Sequence, residues 1–281
     1  MKHQFCVFSK HFSWLPVPEL ARAVRDAGFD GIDLAVRPGG HVEPDEVETA
    51  LPAAVEAIQA AGLTCPMIVS GITDPDAAET EPVIRTAADC GVRYYRFGYF
   101  SYEESIPASL EAHATTLGTL AALNERYGIH GAYQNHAGSR VGGPVWDIWE
   151  MERELDPRWI GCQYDVRHAV IEGGTSWELG MRLLSDRIRC IAVKDGKWHE
   201  PEPGRFAPVS VPIGEGMVDW HRFVELLGQT AFDGAVSIHY EYPLFTDDAG
   251  ELSDAQRTEK TVAAMGRDLE TARSLLGGAL R

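Results

Sequence analysis

The chain alternates short apolar runs with amphipathic stretches, and this alternation constrains the fold more than any other feature of the sequence. Eight apolar runs are bounded by turn residues, and each is followed by a stretch of helical periodicity. The predicted strands cover residues 4–8, 31–36, 64–69, 94–97, 130–134, 160–164, 188–193 and 235–240. The predicted helices cover residues 18–27, 43–61, 75–90, 106–127, 145–155, 177–184, 220–227 and about 254–276. Strands and helices that alternate in this way form a parallel sheet.

The number of strand–helix units sets the architecture. Eight units in 281 residues have the size of a closed barrel. No segment rich in proline, glycine or serine divides the chain, so we predict that residues 1–281 form one domain. An open doubly wound sheet is the alternative, but no GxGxxG fingerprint follows the first strand. The predicted fold class is therefore α/β, a single (β/α)8 TIM barrel.

The connections differ in length at the two ends of the predicted barrel. Helix-to-strand connections are short and close on a glycine, whereas strand-to-helix connections are long. The longest covers residues 195–219 and carries Trp198. Long loops at the carboxyl ends of barrel strands build the active site, so we expect the pocket there. The 195–219 segment is a candidate lid, with a packed surface loop or a subunit contact as the alternatives.

The composition bears on partners and location. The net charge of -17 argues against nucleic acid or an anionic membrane as the main partner, because both require excess lysine and arginine. No apolar run approaches the roughly 20 residues of a membrane span, and no signal-peptide pattern precedes the first strand. The five cysteines lack a CxxC pair, which favours buried free thiols in a reducing compartment. We therefore expect a cytoplasmic protein.

Polar residues gather where the predicted strands end, and the last strand shows this best. His239 and Glu241 are two residues apart, so an extended strand places both on one face. Any single polar residue of this kind is more often structural, but a cluster across five or more strands indicates an active site. The other residues of this kind are Lys10, Arg37, His41, Arg96, Gln134, His136, Asp165, His168 and Lys194.

The sequence resembles the xylose isomerase-like TIM-barrel family, the group described as sugar phosphate isomerases and epimerases. The resemblance covers essentially the whole chain and implies the same barrel. It is carried by GFDGIDL at 28–34, QNHAG at 134–138, YDVRH at 164–168, VKD at 193–195, PIGEGMVDW at 212–220 and SIHYE at 237–241.

The resemblance also implies a metal site. In the epimerase branch, one divalent metal is held by Glu, Asp, His and Glu from strands five to eight. The two glutamates remove a proton from a carbon atom of the sugar and return it. In this sequence Asp165 and Glu241 match, whereas Gln134 and Ala192 replace the other two ligands. The resemblance therefore implies Mn²⁺ or Mg²⁺, with Zn²⁺ as an alternative, held by Asp165, Glu241, Gln134 and a substitute histidine such as His239.

Lys194 offers a second interpretation of the missing histidine ligand. It lies two residues after Ala192 and faces the same way on an extended strand. An ammonium beside Asp165 and Glu241 would take over part of the electrostatic role of the metal.

The implied catalytic roles follow from these departures. Gln134 carries no charge, so only Glu241 remains as a carboxylate base, with Lys194 or His168 as the acid. The residues expected to bind the substrate are His136, Arg37, Arg96, Lys10, Trp198 and His41.

The expected function is that of a sugar isomerase or epimerase. It would act on a keto sugar or related polyol by proton transfer next to a carbonyl, with a divalent metal assisting. A lyase, dehydratase or hydratase of a keto sugar or inosose is the first alternative, and a non-catalytic sugar-binding barrel with a degenerate metal site is the second. Barrels of this family often form dimers. We therefore consider two interpretations of Trp146, Trp149 and Trp159: contact residues of a homodimer or, the favoured interpretation, residues buried in the core.

Overall fold

A closed barrel of parallel strands forms the centre of the molecule. The computed structural model describes residues 3–230, 232–244 and 252–277. The strands pair in the order β1-β10-β7-β6-β5-β4-β3-β2, and β1 pairs with β2 to close the ring. They are β1 (Phe5–Phe8), β2 (Gly31–Val36), β3 (Thr64–Ser70), β4 (Tyr94–Arg96), β5 (His130–Gln134), β6 (Ile160–Asp165), β7 (Ile188–Val193) and β10 (Val236–Ile238). The prediction of a single (β/α)8 barrel is confirmed.

Helices cover the outside of the barrel. The two longest helices, Ile106–Tyr127 and Asp254–Leu276, start and stop where the sequence predicts. The second and third helices start at Val47 and Thr80, four and five residues later than predicted. The helix Ile106–Tyr127 ends at Gly128, whose φ of 69° suits a residue without a side chain. Within the described ranges, no helix combines the length and the apolar composition needed to cross a membrane. The helices are α1 (Val17–Asp26), α2 (Val47–Ala60), α3 (Thr80–Asp89), α4 (Ile106–Tyr127), α5 (Val145–Glu152), α6 (Val166–Gly173), α7 (Trp177–Leu183), α8 (Trp220–Leu227) and α9 (Asp254–Leu276).

Two segments that the sequence predicts as loops are regular structure. Helix α6 follows β6 directly, because the Asp165 carboxylate accepts a hydrogen bond from the His168 amide at 3.0 Å and caps the first turn. The segment after β7 contains an antiparallel hairpin, β8 (Asp195–Glu202) and β9 (Arg205–Val211), instead of an irregular loop. The hairpin escapes prediction because most of its residues are exposed, so it lacks the apolar alternation of a packed strand.

Asp195 fixes the base of this hairpin. Its buried carboxylate accepts hydrogen bonds from the amides of Gly196, Gly214 and Val218 at 2.8 to 3.3 Å. It also accepts one from the indole of Trp220 at 3.0 Å. The carboxylate therefore serves a structural role, and it holds the chain that follows Lys194.

The cysteines are free thiols, as predicted. Cys6, Cys65, Cys162 and Cys190 are buried, and Cys90 is partly buried. Burial raises the pKa of each thiol, so none is poised as a nucleophile.

The tryptophans on and near α5 do not share one environment. Trp149 packs against the core, but Trp146 is 53% exposed. The interpretation of Trp146 as a core residue is therefore wrong.

Glu152 at the end of α5 is an ionisable residue buried outside the barrel mouth. Its side chain is fully buried, and neither carboxyl oxygen has a hydrogen-bond partner within the described residues. Burial raises its pKa to about 8, and nearby Arg187 offsets only part of this effect. The carboxyl group is therefore neutral in the folded protein below that pH.

We predict that Glu152 lowers the stability of the folded state as the pH rises. Its folded pKa of about 8 exceeds the ordinary value of 4.5, so its stabilising effect is complete below 4.5 and is lost as the pH passes 8. In Glu152→Gln, the free energy of unfolding relative to wild type should increase by about 3 kcal/mol between pH 5 and pH 8. Urea unfolding at both pH values measures this change.

The control is Glu154→Gln, which removes a carboxylate whose side chain is 84% exposed. Its stability should follow that of wild type at both pH values. A pH dependence in Glu152→Gln equal to that of wild type would contradict the assignment.

Candidate active site

Lys194 lies at the centre of the carboxyl-terminal end of the barrel, directly after β7. Its Nζ is 3.1 Å from Asp165 Oδ2 and 3.0 Å from Glu241 Oε2. The Lys194 and Asp165 side chains are 3% and 0% exposed, whereas a quarter of the Glu241 side chain reaches solvent. An ammonium between two carboxylates offsets the desolvation of all three groups, and each depends on the others.

Asp165, the last residue of β6, is held through both its main chain and its side chain. Its amide donates to Asn135 Oδ1 at 2.7 Å, and Asn135 Nδ2 donates to the Asp165 carbonyl at 2.9 Å. Its Oδ2 also accepts from Gln134 Nε2 at 2.8 Å. Burial raises the pKa of Asp165, and the Lys194 ammonium partly offsets this.

Gln134 links a positive group to a negative one. Its Oε1 accepts hydrogen bonds from the Arg96 guanidinium and, at 2.6 Å, from the Tyr99 hydroxyl. Its amide N–H groups face Asp165. A glutamate at this position would place a second negative charge against Asp165, whereas an amide satisfies both neighbours at once.

Glu241 lies between two lysines. Lys10 Nζ is 3.1 Å from Oε1, while Lys194 contacts the other oxygen. Burial opposes ionisation of Glu241, but Lys194 and Lys10 outweigh it and hold its pKa well below the usual range. Glu241 is therefore firmly ionised, and it is a weaker base in this state than the sequence suggests.

His168 presents a neutral hydrogen-bond donor. Its Nδ1 lies 3.0 Å from Arg167 Nη1, and a guanidinium can only donate, so the ring proton must be on Nε2. Nε2 has no hydrogen-bond partner among the described residues and lies 3.7 Å from Asp165 Oδ2. The His136 ring lies 4.0 Å away, and burial lowers the pKa of both histidines.

His239 faces the barrel interior. The strand β10 ends at Ile238, and the His239 ring packs 5.1 Å from the Phe8 ring. Its Nε2 is 3.2 Å from Ser237 Oγ, which donates to Asp33 Oδ2 at 2.7 Å. Burial raises the pKa of Asp33 to about 6 and lowers that of His239 well below its usual value.

These donor groups do not fit a divalent metal. Lys194 Nζ lies between Asp165 and Glu241, where a metal that bridges them would sit. Gln134 turns its N–H toward Asp165, and His239 Nε2 faces Ser237. Throughout the described part of the chain, no group of three or more His, Cys, Asp or Glu residues is arranged to hold a metal ion.

The predicted substrate-binding residues divide into two groups. Lys10, Arg96 and His136 lie in or beside the Lys194 network. Trp198 lies on the exposed hairpin strand β8, and the His41 ring contacts the Phe12 carbonyl at 3.3 Å. The geometry therefore brings the first three together, whereas the contacts given for Trp198 and His41 lie outside the Lys194 network.

Arg37 approaches the site from the β2 loop. Its Cζ is 5.4 Å from the centre of the Phe8 ring, which Lys10 Nζ approaches to 5.3 Å. Sequence reasoning missed Phe8, whose position as the last residue of β1 is its only signal. It also missed Asn135, which follows Gln134 and tethers the main chain of Asp165.

Comparisons with known proteins agree with the fold. The model of the family described as xylose isomerase-like TIM barrel matches residues 21–263. A curated relative, an uncharacterized protein of Methanocaldococcus jannaschii, is 25% identical over 131 residues, which are 46% of this chain and 43% of that protein. The alignment thus spans less than half the length of that relative.

Solved structures of sugar epimerases have a similar fold. D-psicose 3-epimerase from Clostridium cellulolyticum H10 has a TM-score of 0.70 at 11% identity, covering 97% of this chain and 99% of that chain. An L-ribulose 3-epimerase has a TM-score of 0.70 at 16% identity, covering 99% and 95%. The 3-keto-D-glucoside 4-epimerase of E. coli has a TM-score of 0.67 at 15% identity, covering 94% and 99%. At these identities the likeness establishes the fold.

We predict that Lys194→Met destabilises the protein because Asp165 is then buried without its partner. Breaking a buried ion pair costs about 3 kcal/mol or more. Adding Asp165→Asn should restore part of the loss, since the second change removes the orphaned charge. Urea unfolding in EDTA measures both variants and prevents a metal ion from replacing the ammonium.

Lys197→Met is the matched control, because this lysine lies exposed on β8 and should change stability by less than about 0.5 kcal/mol. If Lys194→Met costs no more than Lys197→Met, the buried ion pair does not exist in solution.

Proposed function

The chain belongs to the xylose isomerase-like TIM-barrel family, and from this premise we propose that it is a sugar isomerase or epimerase. It moves a proton next to the carbonyl group of a keto sugar or a related polyol. The observation that carries the proposal is Lys194, held between Asp165 and Glu241 at the mouth of the barrel. The epimerase neighbours support the same class of reaction.

Lys194 is the proposed electrophile. An ammonium has three N–H bonds, and the contacts with Asp165 and Glu241 account for two of them. The third is available for a carbonyl oxygen of the substrate, where negative charge develops when the neighbouring carbon loses a proton. The Nε2–H of His168 is a second donor on the same side of Asp165. Donors fixed before the reaction stabilise such an oxyanion strongly.

Glu241 is the proposed base, and binding of the substrate activates it. Both of its oxygens are paired with lysines in the free protein. A substrate oxygen that takes the hydrogen bond of one lysine leaves the carboxylate with a single cationic partner. Its pKa then rises toward the range in which a carboxylate removes a proton efficiently.

We further propose that Lys194 supplies the positive charge that the family resemblance assigns to a divalent metal. The protein purified without chelators should then contain little Mn²⁺, Mg²⁺ or Zn²⁺, and EDTA should leave turnover unchanged. Lys194→Ala frees Asp165 and Glu241 and should bind Mn²⁺ more tightly than wild type does. Metal analysis and calorimetric titration with MnCl₂ measure these outcomes.

The control for metal binding is Lys10→Ala, which removes the more exposed lysine partner of Glu241 and leaves Lys194 in place. It should not gain affinity for Mn²⁺. One equivalent of tightly held metal in the wild-type protein would refute the proposed role of Lys194.

A carbon–oxygen lyase that removes or adds water is the second candidate. It is favoured by the two ammonium donors on one carboxylate, because Lys10 and Lys194 both contact Glu241. Elimination of a β-hydroxyl group needs one base and one general acid that protonates the leaving oxygen.

Proton exchange in D₂O separates these reactions. With a panel of keto sugars, an isomerase or epimerase should incorporate one solvent deuterium into an unchanged carbon skeleton, whereas a lyase changes the mass by one water. Glu241→Gln should lower turnover about a hundredfold or more. NMR and mass spectrometry follow both products.

Glu215→Gln, an exposed carboxylate after the hairpin, is the control and should retain full activity. If no sugar of the panel undergoes exchange or dehydration, the result favours the non-catalytic sugar-binding barrel. Full turnover by Glu241→Gln would remove Glu241 from the mechanism.

A further inference from the structure

Two guanidinium groups at the mouth of the barrel lack a carboxylate partner. Arg37 and Arg96 approach the same Phe8 ring, with Cζ at 5.4 and 5.7 Å from its centre. Across the residues that the structure describes, neither forms an ion pair within 4.0 Å. Glu241 pairs with Lys10 and Lys194, and Asp165 pairs with Lys194. The buried Asp33 acts on both arginines through its charge, but it accepts its hydrogen bond from Ser237.

Arg96 is the more constrained of the two. It is only 4% exposed, and its Nη1 donates to the neutral groups of Gln134 and Tyr99. Its Nε has no hydrogen-bond partner in the described ranges. A buried cation with only neutral partners is unfavourable unless another charge compensates it.

The local balance of charge is positive. Lys10, Lys194, Arg37 and Arg96 face Asp33, Asp165 and Glu241, which gives four cations against three carboxylates in this part of the barrel. The chain as a whole carries a net charge of -17. A cationic mouth on an acidic protein attracts an anion to this position.

We propose that Arg37 and Arg96 bind a carboxylate group of the substrate, which is therefore a sugar acid and not a neutral sugar. The proposal rests on the proposed function, because the same molecule presents its carbonyl group to Lys194. A guanidinium binds a carboxylate through two parallel hydrogen bonds, and an anion between two guanidiniums relieves their mutual repulsion.

The β2 loop favours a carboxylate over a phosphate. Phosphate sites commonly use several free main-chain amides. Here the Gly39 amide donates to the Glu43 carboxylate at 2.8 Å. The amides of Gly40 and His41 donate to main-chain carbonyls. The side chain of Arg37 is thus the group that this loop offers to an anion.

Calorimetric titration with matched pairs of sugars tests the proposal. Wild-type protein should bind D-glucuronate at least about tenfold more tightly than D-glucose, and D-galacturonate more tightly than D-galactose. Arg37→Gln should lose this preference. Arg37 is chosen because it is partly exposed, so its replacement should not prevent folding.

Arg93→Gln is the control. Arg93 also stacks on an aromatic ring, with Cζ 5.1 Å from the centre of the Tyr94 ring, but it lines a separate cavity with Gly128 and Arg158. This variant carries the same change of charge and should keep the preference for the uronates.

Several results would overturn the proposal. They are equal binding of acid and neutral sugar by wild type, an undiminished preference in Arg37→Gln, absence of uronate binding, and tighter binding of D-glucose 6-phosphate than of D-glucuronate. The readout is binding and not turnover. A preference for uronates without proton exchange would support the carboxylate site and refute the isomerase function. Proton exchange without that preference would support the isomerase function and refute the carboxylate site.

Discussion

The burial of the Lys194 ammonium between Asp165 and Glu241 is the interaction on which the rest of the site depends. None of the three charges is stable alone in the interior, since Lys194 and Asp165 are almost completely buried. Neighbouring groups supply the hydrogen bonds that these buried charges need. Gln134 supplies a donor to Asp165 and an acceptor to Arg96, and so it joins the central ion cluster to the cations near Phe8.

The site differs from a metal site in the group that supplies its positive charge. A metal ion concentrates positive charge at one point and orients the oxygens that contact it. Here the same region holds a cation supplied by the chain, together with the neutral Nε2–H of His168. The residues that depart from the family pattern, Gln134 and Ala192, are consistent with each other. Gln134 removes one anionic neighbour, which an ammonium needs less than a divalent metal does, and Ala192 removes a neutral imidazole ligand that an ammonium does not need.

The sequence predicts the barrel and much of the cluster because both depend on local patterns. Strand spacing identifies the eight barrel strands, and the strand ends bring Asp165, Lys194 and Glu241 to one place. What escapes prediction depends on contacts between distant segments. The hairpin has no buried face to mark it, and the low pKa of Glu241 requires Lys10 from the other end of the chain.

The anchoring of the hairpin at Asp195 has a mechanical consequence. The carboxylate ties the root of β8 to the segment after β9 and to the start of α8 through four donors, while the turn around Gly204 is exposed. The hairpin is thus anchored at its base, next to Lys194, and exposed at its turn. The tip is free to vary in sequence or to meet different ligands without displacing the ammonium.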